Sequence, residues 1–376
     1  MFASNTAQVP NFKPEVTIES LENPVHHELP TGCKLCDKNE NLLRCAGCKM
    51  FHYCSREHQV QDRQDHKGIC NKIKRARNDV DKEKQALIDH PDFKNDNPFE
   101  NHVGRFWKIV ETRPYMNALS KLATITSGER HVDSLQAEYD NCKELLRLCP
   151  GDNMGVRATV PGILLRLGKE QECYDFIKWY GKAWEDRNYN WTKMEGFLNV
   201  KNADVFEDID YLGSSIRTMD LSFLICMMIL KVQLALNVGA LRSLQKEIDQ
   251  MSELAGVRGA VPPETFLDNR KSRCKSSALL ARPDIMRGEN LDEKSKILKQ
   301  HIDELHSEIF KRNKHYWPML IEPEEAISKP PSPMYMIGSP EEARMALQHT
   351  WYPWMEIEGV YSFMTIICEG EHGRYF

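Results

Sequence analysis

The sequence predicts a mainly α-helical protein in which a small module rich in cysteine and histidine precedes a larger helical region. Six of the twelve cysteines fall within residues 33–70. From about residue 100 onward, apolar residues recur at spacings of three and four, the pattern of one face of an α-helix. Breaker pairs such as Pro150-Gly151 separate these stretches, so we expect successive helices joined by short turns. The 376 residues are enough for one small module and one sizeable domain.

The cysteine-rich segment contains eight potential metal ligands in four pairs. Two pairs have the Cys-x2-Cys spacing of a knuckle turn, in which one short loop directs two thiolates at one cation. The other two pairs are spaced i,i+4, which places both side chains on one face of a helical turn. Because structural zinc takes four ligands in a tetrahedron, eight ligands indicate two closed sites. The pairs are Cys33/Cys36, Cys45/Cys48, Cys54/His58 and His66/Cys70.

The same residues allow alternatives to this ligand set. A disulfide framework would suit a secreted protein, but no secretory signal precedes the segment, and the interspersed histidines favour a metal. His52, two residues before Cys54, is a rival to His58 as a ligand. Spacing alone also leaves open whether consecutive or alternating pairs share one zinc ion.

The order C-x2-C-x8-C-x2-C-x5-C-x3-H-x7-H-x3-C resembles a MYND-type zinc finger. In that family the position of His58 is usually a cysteine, and imidazole serves zinc as thiolate does. The family has a non-ligand residue flanked by aromatics at the position of His52, so the resemblance favours His58. It also implies two zinc ions bound by alternating pairs. One ion would be held by Cys33, Cys36, Cys54 and His58, and the other by Cys45, Cys48, His66 and Cys70.

The chain divides into four predicted parts. Residues 1–29 contain several prolines and little periodicity, which is typical of a disordered tail. Residues 30–72 are the MYND-type finger, residues 73–100 a basic helix and a linker, and residues 101–376 the α-helical region. The predicted apolar core of the finger consists of Leu42, Leu43, Phe51 and Tyr53. A core this small requires metal binding to fold.

Apolar spacings predict the helices of the C-terminal region in order. Residues 106–122 indicate a helix kinked at Pro114. Residues 340–354 indicate a helix with Ser339 as its N-cap and Pro340 in its first turn. The other predicted helices are 135–149, 160–167, 173–184, 216–238, 241–254 and 291–316. Residues 148–168 resemble tetratricopeptide helix pairs, so we expect a TPR-like or solenoid arrangement. The combination resembles fungal-type MYND-finger proteins with helical C-terminal regions.

The composition is that of an ordinary globular protein, with 41 % hydrophobic and 28 % charged residues. The longest apolar run, residues 221–230, is too short to span a bilayer and predicts a buried helix, so we expect no membrane association. No signal peptide or lipidation motif is recognisable. Reduced thiols and bound zinc therefore predict a protein of the nucleus, the cytoplasm or both.

A basic cluster follows the last metal ligand. Clusters of this kind are typical of nuclear-import signals and of surfaces that contact phosphates, although many are ordinary solvated helix faces. Acidic residues at 79, 81 and 83 follow directly and reduce the local positive charge. Binding to nucleic acid is therefore an alternative function, carried by Lys72, Lys74, Arg75 and Arg77.

The sequence contains no recognisable catalytic constellation. Lysine methyltransferases of the SET type carry this finger within the catalytic domain and require an Asn-His-Ser-Cys segment, whereas Asn101-His102 continues here as Val-Gly. Prolyl hydroxylases with this finger require a β-rich iron-binding domain, which the helical periodicity opposes. P-loop, GxSxG and HExxH patterns are absent. We therefore expect no enzymatic activity, and a SET-type methyltransferase is the disfavoured alternative.

The resemblance implies recognition of proteins. Fingers of this family bind short proline-containing peptides beside the second zinc, through a Gln and a Trp in a Cys-Gln-x-x-Asp-Trp segment. Gln59 and Asp62 occupy the family positions here, whereas Arg63 replaces the tryptophan. The replacement removes apolar contact for a proline and favours an acidic ligand. We therefore expect an adaptor or scaffold of transcriptional or other regulatory complexes, with proline-containing or acidic partner peptides.

Overall fold

The computed structural model describes residues 29–36, 38–209, 219–254, 266–330, 332 and 334–364. The predicted tail of residues 1–29 lies outside this part of the chain, except for Leu29. Within the described part, helices dominate, and the strands belong to one two-stranded sheet near the amino end. The predicted fold class, a small metal-binding module followed by a mainly α-helical region, is confirmed.

The amino-terminal module is a short hairpin followed by two helices. Its elements are β1 (Leu43–Arg44), β2 (His52–Tyr53), α1 (Arg56–Gln61) and α2 (Arg63–Ile88). The strands pair antiparallel with Leu43 opposite Tyr53, and Cys33 also bridges to His52. Ser55 caps α1, because its hydroxyl accepts a hydrogen bond from a main-chain N–H of the first turn. The predicted basic helix is therefore the continuation of the helix that carries the last two ligands.

The helices that follow agree with the apolar spacing of the sequence over most of their length. They are α3 (Pro98–Asn101), α4 (Arg113–Thr126), α5 (Val132–Leu148), α6 (Val160–Arg166), α7 (Glu170–Glu185), α8 (Leu221–Leu254), α9 (Leu267–Arg273), α10 (Ser277–Leu280), α11 (Pro283–Met286), α12 (Leu291–Arg312), α13 (Tyr316–Ile321), α14 (Glu324–Ser328) and α15 (Pro340–Glu356). As predicted, α15 begins with Ser339 as its cap and Pro340 in its first turn. Short 3₁₀ turns connect several of these helices.

Three predicted helix boundaries are wrong. The helix predicted over residues 291–316 ends at Arg312, and a separate helix begins at Tyr316. The other two errors involve a residue that disfavours helix interiors. Pro114 does not kink a helix but lies in the first turn of α4, where its missing N–H costs nothing. The predicted break near residue 239 does not occur, since α8 continues through Gly239. A glycine in a helix costs about 1 kcal/mol, and burial of the apolar face of α8 exceeds that cost.

Helix α8 is the centre of the larger core. All its residues from Leu221 to Leu234 are buried, and it contacts α6 and α7 as well as α12 and α15. Helices distant in sequence therefore meet around it, which goes beyond the neighbour-to-neighbour contacts of a simple solenoid. The TPR-like arrangement stays a prediction.

Helix α8 is also the one helix in the described ranges that is long and apolar enough to cross a membrane. Within the fold, however, 78 % of its most apolar 18-residue window is buried. Its apolar surface is thus covered by neighbouring helices, as the run 221–230 predicted for a core helix.

A second core joins the metal-binding module to the helical region. Buried Phe51 and Tyr53 of the module share this core with Ile73 of α2 and with apolar residues of α4 and α5. Leu43, predicted to belong to the core of the module, is instead 61 % exposed, and the core of the module is built with residues of α2, α4 and α5. The predicted boundary at residue 72 falls inside both α2 and this core.

Candidate metal centre

Eight Cys and His side chains gather into two groups of four near the amino end. The first group comprises Cys33, Cys36, Cys54 and His58. In it, the His58 Nδ1 atom lies 3.5 Å from the Cys33 Sγ atom and 3.4 Å from the Cys54 Sγ atom. The Cys36 and Cys54 Sγ atoms are 3.6 Å apart.

The second group is fully buried and comprises Cys45, Cys48, His66 and Cys70. The His66 Nε2 atom lies 3.3 Å from the Cys45 Sγ atom and 3.6 Å from the Cys48 Sγ atom. The Cys45 and Cys70 Sγ atoms are 3.8 Å apart. Alternating pairs therefore share a site, which is the arrangement that the family resemblance implied.

The spacing of these atoms fits tetrahedral zinc. With zinc–sulfur bonds of about 2.3 Å and zinc–nitrogen bonds of about 2.0 Å, the edges of the tetrahedron are about 3.8 Å between two sulfurs and about 3.5 Å between sulfur and nitrogen. The sulfur–sulfur distances of 3.6 and 3.8 Å and the sulfur–nitrogen distances of 3.3 to 3.6 Å agree with both edges. Each group offers three thiolates and one imidazole, a donor set typical of structural zinc. The prediction of two zinc ions is confirmed.

Local backbone structure explains how the second group forms. The Cys45 N–H donates to the Phe51 carbonyl at 2.9 Å, and the Lys49 N–H donates to the Cys45 carbonyl at 2.8 Å, which closes the knuckle. A Cβ atom on Gly47 would lie 2.8 Å from the Cys70 Sγ atom. Only glycine leaves room at this position for a ligand that arrives from α2.

His58, and not its rival His52, reaches the first group. The His52 imidazole points to the helical region, where its Nδ1 atom lies 2.7 Å from the Asp133 Oδ2 atom in α5. His58 lies on α1, three residues after the cap, which directs its ring toward the knuckle of Cys33 and Cys36.

The second group is surrounded by aromatic rings and by one buried carboxylate. The Phe51 ring packs edge-on against the rings of His66 at 5.4 Å and His131 at 5.6 Å. Burial lowers the pKa of His66, which favours the neutral imidazole that zinc binds. Burial and the hydrogen bond to Asp62 raise the pKa of Tyr53 above its usual value, so its hydroxyl stays a donor.

Comparison with known proteins agrees with this geometry. The sequence profile described as the MYND finger matches residues 33–70. Residues 33–70 form a MYND finger. Egl nine homolog 1 of Homo sapiens is 55 % identical over 38 residues, which are 10 % of this chain and 9 % of that protein. Egl nine homolog 1 of Mus musculus is equally identical over 38 residues, 10 % of each chain.

A third relative matches a similarly short stretch of the chain. The Rho GTPase-activating protein gacZ of Dictyostelium discoideum is 44 % identical over 48 residues, which are 13 % of this chain and 4 % of that protein. The chain therefore spans a tenth or less of the length of these curated relatives. No solved structure matches the chain. The family match and the short Egl nine match concern the MYND finger.

The three residues predicted to bind a peptide have different environments. Arg63 is exposed at the start of α2, and Gln59 is half-buried on α1, where it accepts a hydrogen bond from Arg56 at 2.9 Å. Asp62 is buried and faces inward, where it accepts a hydrogen bond from the Tyr53 hydroxyl and lies 3.7 Å from the Lys34 ammonium. The structure thus leaves Gln59 and Arg63 on the outer surface and uses Asp62 to hold the finger together.

The four cationic residues of the basic cluster also differ in their exposure. Lys72, Lys74 and Arg75 are exposed on α2, whereas Arg77 is half-buried and donates to the Cys48 carbonyl at 3.1 Å. Arg77 therefore supports the second knuckle of the finger.

The residues that attach the MYND finger to the helical region could not be predicted from the sequence. Asp133 is 81 residues from its partner His52, and nothing in the local pattern of either indicates the pair. The role of Gly47 was indicated by the sequence, because a glycine between two knuckle cysteines is consistent with the close approach of another segment.

Proposed function

We propose that the protein is an adaptor that uses its zinc-bound MYND finger to recognise a peptide segment of a partner protein in a transcriptional or other regulatory complex. It acts by binding and not by catalysis, in the nucleus, the cytoplasm or both. MYND fingers are protein-interaction modules, and the observation that supports this role here is that one face of the finger is buried against helices while α1 and the start of α2 stay at the surface.

The outer surface of the finger supports a ligand of particular chemistry. Val60 on α1 is 61 % exposed, and Gln59 and Arg63 lie one residue before it and three residues after it. An apolar side chain, an amide and a guanidinium together suit a proline-containing peptide with an acidic neighbour. The guanidinium forms bidentate hydrogen bonds with carboxylates, which an indole does not.

Fluorescence polarisation with the full, zinc-loaded chain tests the proposal. The probe is a labelled peptide in which two prolines are flanked by glutamates, and its matched controls carry alanine for proline or lysine for glutamate. We expect saturable binding of the acidic proline peptide and much weaker binding of both controls. Arg63→Ala should weaken binding at least about tenfold, because a hydrogen-bonded charge pair contributes about 1.5–3 kcal/mol and about 1.4 kcal/mol is a factor of ten.

Lys67→Ala is the matched control variant, since Lys67 is an exposed cation one turn further along α2. It should leave the affinity unchanged. Equal binding of all three peptides, or an Arg63→Ala variant that binds as the wild type does, would refute recognition by this surface.

Nucleic acid is the second candidate ligand, supported by the exposed Lys72, Lys74 and Arg75 on one helix. Binding through these residues would weaken steeply as salt rises, because released counterions drive it. An electrophoretic mobility shift between 50 and 200 mM salt, with a triple alanine variant as control, distinguishes this role from peptide recognition.

A further inference from the structure

A cavity of about 330 Å³ lies on the side of the helical region where α4, α5 and α6 meet α15. Its walls are formed by helices from the middle of the chain and by α15 near the far end, and Tyr335 also lines it. Its volume is in the lower part of the range for pockets that bind small molecules. Neither the MYND finger nor the proposed peptide surface includes it.

Small side chains and one close helix contact create the space. Ala123, Cys142 and Thr159 contribute little volume to the walls. A Cβ atom on Gly162 would lie 3.1 Å from the His349 carbonyl oxygen, so glycine allows α6 and α15 to approach closely. The half-buried His349 is part of this wall.

Most charged groups of the cavity wall are neutralised by partners. Arg157 donates to the Asp220 carboxylate at 2.8 Å, and Arg166 donates to the Glu356 carboxylate at 2.6 Å. Glu138 differs, because its carboxylate makes no hydrogen bond or ion pair with any residue that the structure describes. It lies one helical turn from Cys142 on α5, on the face that lines the cavity.

Glu138 and His349 are both half-buried in the wall of the cavity. Burial raises the pKa of Glu138 to about 7, although the Arg166 charge opposes the shift. Burial lowers the pKa of His349 to about 4, so its ring is neutral, and its Nδ1 atom lies 3.4 Å from the Ser222 hydroxyl. A cationic hydrogen-bond donor stabilises the charged form of a partly buried carboxylate that has no partner in the protein.

We propose that this cavity binds a small organic ammonium compound, with the ammonium group at the Glu138 carboxylate and an apolar body between α4, α6 and α15. The apolar part of the wall, which includes Ala123, Ile163 and Met345, suits an aryl or short alkyl group. Anions are disfavoured, because both arginines of the wall already hold carboxylates of the protein. The site is independent of the zinc ions and of the peptide surface.

Isothermal titration calorimetry of the full, zinc-loaded chain tests the proposal with three probes of the same shape. Phenethylamine, which is an ammonium ion at pH 7.5, carries the required charge; 2-phenylethanol is neutral and 3-phenylpropionate is an anion. We expect saturable binding of the ammonium probe at one site, binding at least tenfold weaker for the alcohol, and none for the anion.

Variants locate the site. Glu138→Gln keeps the shape of the side chain and should weaken binding of phenethylamine at least tenfold. Ala158→Leu extends a side chain from the half-buried rim of the cavity and should abolish binding of both the ammonium and the alcohol. Asp140→Asn is the matched control, an exposed acid on the same helix that accepts a hydrogen bond from Gln136 at 2.8 Å, and it should bind as the wild type does.

Thermal unfolding of each variant establishes that it is folded before titration. The proposal is overturned if the alcohol binds as tightly as the ammonium, if Glu138→Gln leaves the affinity unchanged, or if phenethylamine shows no saturable binding up to millimolar concentration.

Discussion

Replacing Phe51 with alanine should destabilise both the MYND finger and the helices that it contacts. The Phe51 ring is fully buried, and it lies between the zinc ligand His66 and His131 at the start of α5. The Lys34 ammonium also lies 4.4 Å from the centre of the ring. Removal of a buried phenyl ring costs about 3–5 kcal/mol through lost burial and the cavity left behind. This is a large part of the stability of a typical domain, about 5–15 kcal/mol.

Urea unfolding in saturating zinc measures that loss, and amide hydrogen exchange locates it. Because one core contains Phe51 and residues of α4 and α5, we expect the amides of these helices to lose protection together with those of the finger. Val60→Ala, which truncates an exposed side chain of the finger, should change stability by less than about 0.5 kcal/mol. The reasoning is refuted if Phe51→Ala increases exchange in the finger while α4 and α5 keep the protection of the wild type.

Three further predictions follow from single contacts. Gly47→Ala should lower the zinc content toward one ion per chain by metal analysis, because the added Cβ would lie 2.8 Å from the Cys70 Sγ atom; Gly68→Ala, with open space at its Cβ, should retain two. Arg77→Ala should cost about 1 kcal/mol in urea unfolding through the lost hydrogen bond to Cys48, whereas truncation of the exposed Arg75 should have no effect. Burial lowers the pKa of Lys231 from 10.5 to about 7, against the opposing charges of Glu207 and Asp204. The unfolded chain therefore binds more protons between these values, and stability should rise with pH across this interval in the wild type but not in Lys231→Met.

The metal ligands were predictable because they obey local spacing. A knuckle and an i,i+4 pair each lie within a few residues, so the sequence contains most of the geometry of the site. The choice of His58 over His52 depends on a contact that no local pattern shows, the hydrogen bond from His52 to Asp133. The resemblance supplied this choice, and the structure supplies the physical reason.

The helices were predictable for a similar reason, and the errors lie where local preference and packing disagree. Proline favours a break or a kink, but at the first turn of α4 it fits the helix. Glycine favours a helix end, but Gly239 lies inside α8 between the buried core residues Val238 and Leu241. The apolar side chain of Leu43 suggested that it was buried, but Leu43 is exposed. The face of the finger that packs against α4 and α5 contains Phe51 and Tyr53 instead.

Because they share one core, the MYND finger and the helices α4 and α5 should not fold independently of each other. A finger joined by a flexible linker would fold and bind independently of its neighbours, and its partner would sense only the finger. Here the 26-residue helix α2 carries two zinc ligands in its first turns and also packs against α4, so the metal site and the helical region use one continuous element. Loss of zinc should therefore disturb α4 and α5. Because the inner face of the finger is buried, the peptide of the proposed function would reach the finger from the side of α1. If the proposed adaptor function holds, the shared core would couple binding at the finger to the helices α4 and α5.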